Sequence, residues 1–462
     1  MALARVVEQH AARLPSKVAL HFEGTDITYG ELWRHIQAAV RGLDVKKGDR
    51  IAWLGYNSPE MLVLLFAAAQ RGAFLVPLNW RLTAAEHREI LADCTPKWLF
   101  CDEDFRRHAE GLGVPLGRVE GDSQQAEAEE DVLIVYTSGT TGKPKGAVLT
   151  QSALIHNAFN SAYAHALTEK DHVLTALPMF HVGGLNIQTL PALLQGASVT
   201  LHKRFEPGAW LADVARRRPT LSLLVPATMA AVIAHPHWAN TDLSSLRLLN
   251  TGSMVVPESL IRAFHARGVP VGQIYGATET APIATALLRE DAMRKPGSAG
   301  KPVPQCEVKL VEGEMWVRGP AVMRGYWNGD PGLTPDGWFR SGDLGRVDED
   351  GYYWIVGRSK DVIISGGENI HPAELENVLA DCADIAEAAV IGVADPKWGE
   401  TACAVVVRKP GSQLDELEVI RLFENRLARY KHPRRVVFLE ALPKNAMGKV
   451  QKPELRRLVA SR

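Results

Sequence analysis

Residues 136–146 read YTSGTTGKPKG and lie between two apolar runs, DVLIV before and AVL after. A strand ending at Tyr136 delivers Thr137, Ser138, Gly139, Thr140, Thr141 and Gly142 into a loop. Glycine there permits close backbone approach, so amide and hydroxyl donors can converge on phosphate oxygens. Lys143 and Lys145 add positive charge. This is not the GxxxxGK[ST] phosphate loop, because only two residues separate Gly139 from Gly142 and Pro144 follows Lys143. A solvated glycine-serine turn would account for the glycines and hydroxyls, but not for apolar strands clamping both sides. An anion site is expected here.

Outward from the loop, short β-branched runs alternate with helical patterns. RIAWLGYN precedes SPEMLVLLFAAAQRG, and DVLIVYTSG precedes a loop and then SALIHNAFNSAYAHAL. Such alternation predicts βα units layered as sheets with helices on their faces. From Glu307 the texture changes, and EVKLVEGEMWVRG and RVDEDGYYWIVG read as strands turned at Gly- and Asp-rich corners, a small antiparallel unit. Beyond Gly357, RSKDVIISGGENIHPAELENVLADC is followed by AAVIGV, CAVVVR, a helical stretch near Leu417 to Ala428, and RVVFLE, a compact α+β module. The predicted fold class is therefore α/β, with a boundary near Arg358 to Lys360. Gly111 to Asp131, acidic and Gly/Gln-rich, reads as a surface connection.

The length of 462 residues is about three times the ~150 of a typical domain, so two or three domains are expected. Lys plus Arg total 52 against 53 Asp plus Glu, a net charge of −1. No bulk field favours nucleic acid or an anionic membrane, and any anion site must be local. The longest apolar run, MLVLLFAAA at Met61 to Ala69, falls far short of the roughly 20 residues a membrane-spanning helix needs. No secretory signal is expected. Cys94, Cys101, Cys306, Cys382 and Cys403 are scattered and form no CxxC pair, which suits buried thiols in a reducing cytoplasm.

Five stretches carry a resemblance: YTSGTTGKPKG, YGATE at Tyr275 to Glu279, SGDLG at Ser341 to Gly345, GRSKDVIISGGENIHPAELE at Gly357 to Glu376, and PKNAMGKV at Pro443 to Val450. In this order they resemble the AMP-forming adenylate-forming superfamily, which includes acyl- and aryl-CoA synthetases, nonribosomal peptide adenylation domains and firefly luciferase. LPMFHVGGLN and GGENIHPAELE look most like the CoA ligases of hydroxycinnamic, benzoic and fatty acids. The resemblance implies an N-terminal domain over residues 1–357, a hinge at 358–360 centred on Lys360, and a mobile C-terminal lid domain over 361–462.

It implies ATP, Mg²⁺ and coenzyme A as cofactors and co-substrates, with a small-molecule carboxylic acid as partner and a monomer or homodimer as the assembly. The loop Thr137, Ser138, Gly139, Thr140, Thr141 and Lys145 would steady the β- and γ-phosphates. Thr278 would contact phosphate and Glu279 would hold Mg²⁺. Asp343 and Arg358 would take the ribose hydroxyls, and Lys449 the α-phosphate and the substrate carboxylate. Tyr275 would lie against adenine, with Gly252 and Ser253 in NTGS lining its other face. For coenzyme A, Gly366 and Gly367 would line a pantetheine path, and Tyr430 and Arg434 in YKHPR would hold the nucleotide by stacking and charge.

The acyl pocket implied by the resemblance involves segments His181 to Ile187, Val225 to Thr228, Asn250 to Gly252 and Gly276 to Ile283. Within it His181, Gly183, Gly184, Ile187, Gly276 and Ala277 are the candidate lining residues, with His181 a candidate on the acyl or thiol path. These segments contain no Arg or Lys to pair with a second carboxylate, so a neutral tail is expected. Aromatic acids such as ferulate or coumarate come first, and medium- or long-chain fatty acids second. An amino-acid-activating domain would place an aspartate after the motif phenylalanine, where this chain has Phe180-His181. A non-catalytic nucleotide-binding regulator would be expected to have lost some of Glu279, Asp343, Arg358 and Lys449, which are all present.

Overall fold

The computed structural model describes residues 2–119, 130–138, 144–254, 256–444 and 450–460. Its sheets are those of an α/β chain. The largest has nine strands, with a parallel centre formed by Val271–Tyr275, Leu248–Gly252, Leu221–Leu223, His172–Thr175, Ser198–Leu201 and Val18–Phe22. Antiparallel edge strands close both ends. A second sheet of six strands includes the parallel set Arg50–Leu54, Phe74–Leu78 and Trp98–Cys101 and the strand Asp131–Ser138.

The apolar run at Met61 lies in the helix Pro59–Arg71, which packs into the main core with Leu62, Leu65 and Phe66 fully buried. Its ends follow from its sequence: Ser58 Oγ accepts from Glu60 N at 3.1 Å, Pro59 occupies the first turn, and Gly72 ends it at φ 66°. Among the described residues no helix is long and apolar enough to cross a membrane.

One departure from the alternating pattern matters for the site. After the loop, Pro144–Thr150 runs back antiparallel beside Asp131–Ser138 before the helix Gln151–His165 begins. The continuous apolar AVL, read above as a strand clamping the loop, is buried throughout, and its pairing back onto Asp131–Ser138 is what a βα reading does not show. The two strands that flank residues 139–143 are thus the arms of a hairpin. Tyr136 pairs with Gly146 and Thr137 with Lys145 across it.

The antiparallel unit forms from Glu307–Val311, Glu314–Arg318, Phe339–Val347 and Tyr353–Arg358, in that spatial order. After it, Ile385–Asp395 and Gly399–Arg408 form a long antiparallel pair that Arg435–Phe438 extends in parallel. Together with the helix Pro372–Ala380 this pair encloses its own apolar clusters, a small C-terminal domain. The helix expected over Leu417 to Ala428 is shorter, Glu416–Arg421. The Asp415–Glu418 capping box starts it, and by Asn425, at φ 59°, the backbone has turned left-handed, which a continuing helix excludes.

Candidate active site

Parallel α/β sheets place ligands beyond the carboxyl ends of their strands. At those ends of the nine-stranded sheet lie Gly252, Ser253 and Tyr275. Gly252 has no room for a side chain, since a Cβ would stand 2.4 Å from Ile274 O. Ser253 follows at φ 70°. Gly276 is tighter still, with a Cβ position 1.7 Å from Pro282 O, and it turns the chain into the short helical turn Thr278–Thr280. Thr280 Oγ1 fastens that turn by accepting from Ala277 N at 2.9 Å. Thr278 and Glu279 are buried within it.

Two of the expected residues converge on the carboxylate of a third. Asp343 and Arg358 are cross-strand partners, and Arg358 Nε donates to Asp343 Oδ1 at 2.7 Å. Tyr275 Oη donates to Asp343 Oδ2 at 3.1 Å. Burial, and then the Asp343 charge, raise the Tyr275 phenol well above its ordinary range. For Arg358 burial acts to lower the pKa, but the Asp343 charge and hydrogen bond win, and the net direction is upward. The carboxylate is therefore held in a fixed orientation, with lone pairs left for further donors.

A second group gathers around Tyr326, which the sequence reading did not single out. The strand Gly325–Tyr326 pairs with Ala147 and Val148, and Trp327 N donates to Gly146 O at 2.7 Å, so residues 325–330 lie along the returning arm of the hairpin. Tyr326 Oη donates to Glu279 Oε1 at 2.8 Å. The Lys145 ammonium sits 4.8 Å from the same ring's centroid and donates to Asp330 Oδ2 at 3.1 Å. Burial and the neighbouring Glu279 raise the Tyr326 phenol. Lys145 and Glu279, a cation and a carboxylate, are thus held by one side chain without being paired to each other. On the hairpin's far side Tyr136 Oη donates to Asp93 Oδ2 at 2.5 Å.

Glu279 suits Mg²⁺. It is a hard oxygen donor, buried beside the hairpin. Mg²⁺ commonly takes one or two carboxylates and completes its shell with substrate phosphates and water.

Around His181 the backbone is unusual. His181 Nδ1 accepts from Gly183 N at 3.0 Å, and a π-helical turn follows at Leu185–Thr189. Neighbouring side chains satisfy this turn's carbonyls: Asn157 Nδ2 donates to Asn186 O and Ser161 Oγ to Ile187 O, each at 2.6 Å. Single π turns inside helices are frequent at functional sites. Gly184 is small for a packing reason, because a Cβ would stand 2.2 Å from Pro178 O, whereas one on Gly183 would meet only the His181 ring, its Nδ1 at 3.1 Å. Ile187 packs in an apolar cluster with Leu223, Val225, Ile274 and Ile283, and Ala277 packs against the neighbouring main core.

Lys360 lies exposed in the turn Ser359–Asp361, directly after Arg358. Gly366 and Gly367 both have left-handed backbones, at φ 59° and 89°. A Cβ on Gly366 would stand 2.6 Å from the Trp398 ring, and the Arg434 guanidinium stacks on that same ring at 4.8 Å. Trp398 thus joins two expected residues and was not itself expected. Tyr430 is exposed nearby in sequence, beside Lys431, which donates to Glu374. Gly139, Thr140, Thr141 and Lys449, and the side chain of Ser138, lie outside the described residues.

Residues 7–327 match the AMP-binding enzyme family, and residues 374–449 match the AMP-binding enzyme C-terminal domain. The chain belongs to this family, and it is an AMP-forming acyl- or aryl-CoA ligase. Among curated relatives it is 46% identical to an indoleacetate–CoA ligase of Aromatoleum aromaticum, covering 100% of this chain and 98% of that one. It is 42% identical to a feruloyl-CoA synthase of an Amycolatopsis species, covering 97% of each. Among solved structures, o-succinylbenzoate CoA synthetase of Bacillus subtilis in complex with its acyl-adenylate intermediate superposes with a TM-score of 0.90 at 33% identity, covering 98% of this chain and 97% of that one. The same enzyme has also been solved in complex with ATP and a magnesium ion.

Proposed function

We propose that this ligase activates a neutral-tailed aromatic carboxylic acid of the ferulate or coumarate kind. The observation that carries the reading is the apolar cluster around Ile187, with Leu223, Val225, Ile274 and Ile283 at the carboxyl ends of the parallel strands. It offers no cation for a second carboxylate. The aromatic acids in the names of the two curated relatives support the choice.

In this reading the acid's carboxylate attacks the α-phosphate of ATP, and pyrophosphate leaves to give an acyl-adenylate. Both reactants are anionic, so positive charge and donors must already be in place. Lys145 and the hydroxyls of Thr137, Ser138, Thr140 and Thr141, with the Gly139 backbone, hold the β- and γ-phosphates, Thr278 contacts phosphate, and Lys449 meets the α-phosphate and the attacking carboxylate. Glu279 would hold Mg²⁺, which would neutralise phosphate charge; Tyr326 fixes the Glu279 carboxylate. Asp343, oriented by Tyr275 and Arg358, receives the ribose hydroxyls. Gly252, Ser253 and Gly276 let the backbone approach the nucleotide, and His181, Gly183, Gly184 and Ala277 border the acyl group.

In the second step the CoA thiol attacks the acyl carbon and AMP leaves. Residues 361–462 turn about Lys360 between the two steps, presenting Gly366 and Gly367 to the pantetheine arm and Tyr430 and Arg434 to the CoA nucleotide. Trp398 shapes that path from beneath Gly366. The enzyme works in the cytoplasm as a monomer or homodimer.

The test is CoA ligation across hydroxycinnamic, arylacetic, benzoic and C8 to C16 alkyl acids, ranked by kcat/KM. The aromatic acids should lead by at least tenfold. An alkyl acid at the head of the ranking would replace this reading with a fatty acyl-CoA synthetase.

A further inference from the structure

The amino ends of three neighbouring parallel strands, Val18–Phe22, Ser198–Leu201 and His172–Thr175, open into a cleft of about 510 Å³. That volume falls within the roughly 300–1,000 Å³ of small-molecule sites. Gly252 and Tyr275 stand at the carboxyl ends of the same sheet, so the length of a strand, roughly 13 Å for one like His172–Thr175, separates the cleft from the candidate active site. Lys17, Lys170 and Arg217 line the cleft together with Asp26, Glu169 and Asp171.

The carboxylates are already engaged. Asp171 Oδ1 accepts from Arg247 Nε at 2.9 Å and from Thr220 Oγ1 at 2.7 Å, and its Oδ2 accepts from Thr168 N at 2.8 Å. Glu169 pairs with Arg13 Nη2 at 2.6 Å, and Asp26 is taken by His21 Nδ1. The cations are not engaged in the same way. Lys17 Nζ donates to two neutral backbone carbonyls, Glu169 O and Gly196 O, and keeps a third N–H. Arg217 Nε is buried without a hydrogen-bond partner; the Asp213 carboxylate lies 3.3 Å from it but already accepts from His202 at 2.8 Å and from Arg216 at 2.7 Å. Lys170 is exposed at the rim, with no side-chain partner among the described residues. What the cleft still offers a ligand is N–H donors that carry positive charge.

We propose that this cleft is a second anion site, separate from the active site, and that it takes the phosphate group of a phosphomonoester. Arg217 presents a planar fork suited to phosphate oxygens, Lys17 adds its remaining N–H, and Lys170 meets the group from the rim. A phosphate alone fills only part of the cleft, and Val18 and Val199 supply an apolar wall for an organic body. The phosphomonoester is either AMP, which the ligase itself releases, or a phosphorylated compound from elsewhere. The cleft binds it whichever acid the ligase activates.

The experiment titrates AMP, glucose 6-phosphate and inorganic phosphate by calorimetry into the full chain, its active site filled with a non-hydrolysable acyl-sulfamoyl adenosine. At least one of the two esters should bind saturably, about tenfold tighter than inorganic phosphate because its organic part covers the valines. AMP ahead of glucose 6-phosphate makes the reaction's own product the ligand, and equal binding makes it phosphorylated compounds at large. Arg217→Gln should weaken the ester by about 10- to 100-fold, and Lys170→Glu by more than about threefold. Lys145→Ala, in the distant phosphate loop, should leave the affinity within about twofold. No saturable binding of either ester overturns the proposal, as does binding that Lys145→Ala removes and Arg217→Gln spares. Inorganic phosphate bound as tightly as both esters would mean an adventitious ion only, and overturns it too. Should Arg217→Gln lower Tm, Lys170→Glu decides from its exposed and unpaired position, and unchanged affinity there counts against the site.

Discussion

Replacing Tyr326 with phenylalanine removes one atom from the candidate site and leaves the rest of the side chain. The lost hydroxyl donates to Glu279 Oε1 at 2.8 Å, while the ring that carries the Lys145 ammonium at 4.8 Å remains. A hydrogen bond to a charged group contributes about 1.5–3 kcal/mol. Outer partners that orient a metal-binding carboxylate typically matter by about 10- to 100-fold in metal affinity or activity. Because Glu279 is buried, solvent replaces the missing donor poorly, and the upper half of that range is expected. The assay is ATP–pyrophosphate exchange titrated with Mg²⁺ at saturating acid. Tyr326→Phe should raise the Mg²⁺ concentration for half-maximal exchange by at least tenfold, with the acid KM within about threefold of wild type. Measuring Tm guards against a folding defect. An unchanged Mg²⁺ titration with a lower rate would show that the hydroxyl serves stability alone, and the link from Tyr326 through Glu279 to the metal would be wrong.

Lys145 is also shared with Asp330, an ion pair open enough to solvent to be weak. Asp330→Asn should therefore lower the ATP KM, by no more than about fivefold, and a rise in KM would mean that Asp330 positions the lysine instead of competing for it. Lys449→Ala should cut adenylate formation by about 10²- to 10³-fold and spare thioester formation from supplied acyl-adenylate. Lys360→Pro should do the reverse by fixing φ near −65°, and equal loss of both steps in both variants would defeat alternation about Lys360. Burial holds His165 neutral, with its pKa pushed down to about 4. The unfolded chain then binds more protons between that value and about 6.5, so stability falls as pH falls through this window. Between pH 7 and pH 5 the loss from this one group should be about 2 kcal/mol. Urea midpoints should show that slope in the wild type and a shallower one in His165→Gln, and identical slopes would remove His165 as its source.

The parts of the fold carried by local pattern were legible. Ser58, Pro59 and Gly72 bracket their helix in the way their chemistry requires, and the strands from Glu307 to Arg358 turn where Gly and Asp occur. The convergence of Tyr275, Asp343 and Arg358 was expected only through the family resemblance, since the first of them is 68 residues from Asp343. Tyr326 and Trp398 were not legible. Each acts through a contact with a distant segment, and neither belongs to a composition that stands out along the chain. Tyr326 reads as one more residue of an edge strand until its hydroxyl is seen on Glu279. The apolar run after the loop was read as a strand clamping it, but its antiparallel return beside Asp131–Ser138 was not, because the pairing is set by a partner and not by its own seven residues.

That hairpin has a consequence for redesign. Thr137 and Lys145 face each other because the two arms are in register, and Trp327 and the strand Gly325–Tyr326 brace the returning arm from outside. The spacing between hydroxyl and ammonium is therefore set below residues 139–143 and not by them. Closing a longer loop costs only about 0.6 kcal/mol per doubling of its length, so grafted tips of different length and donor content can be fitted onto these arms without moving the lysine. In the proposed assignment phosphate recognition and acid recognition fall on separate segments, so a library that varies the first can be crossed with one that varies the second.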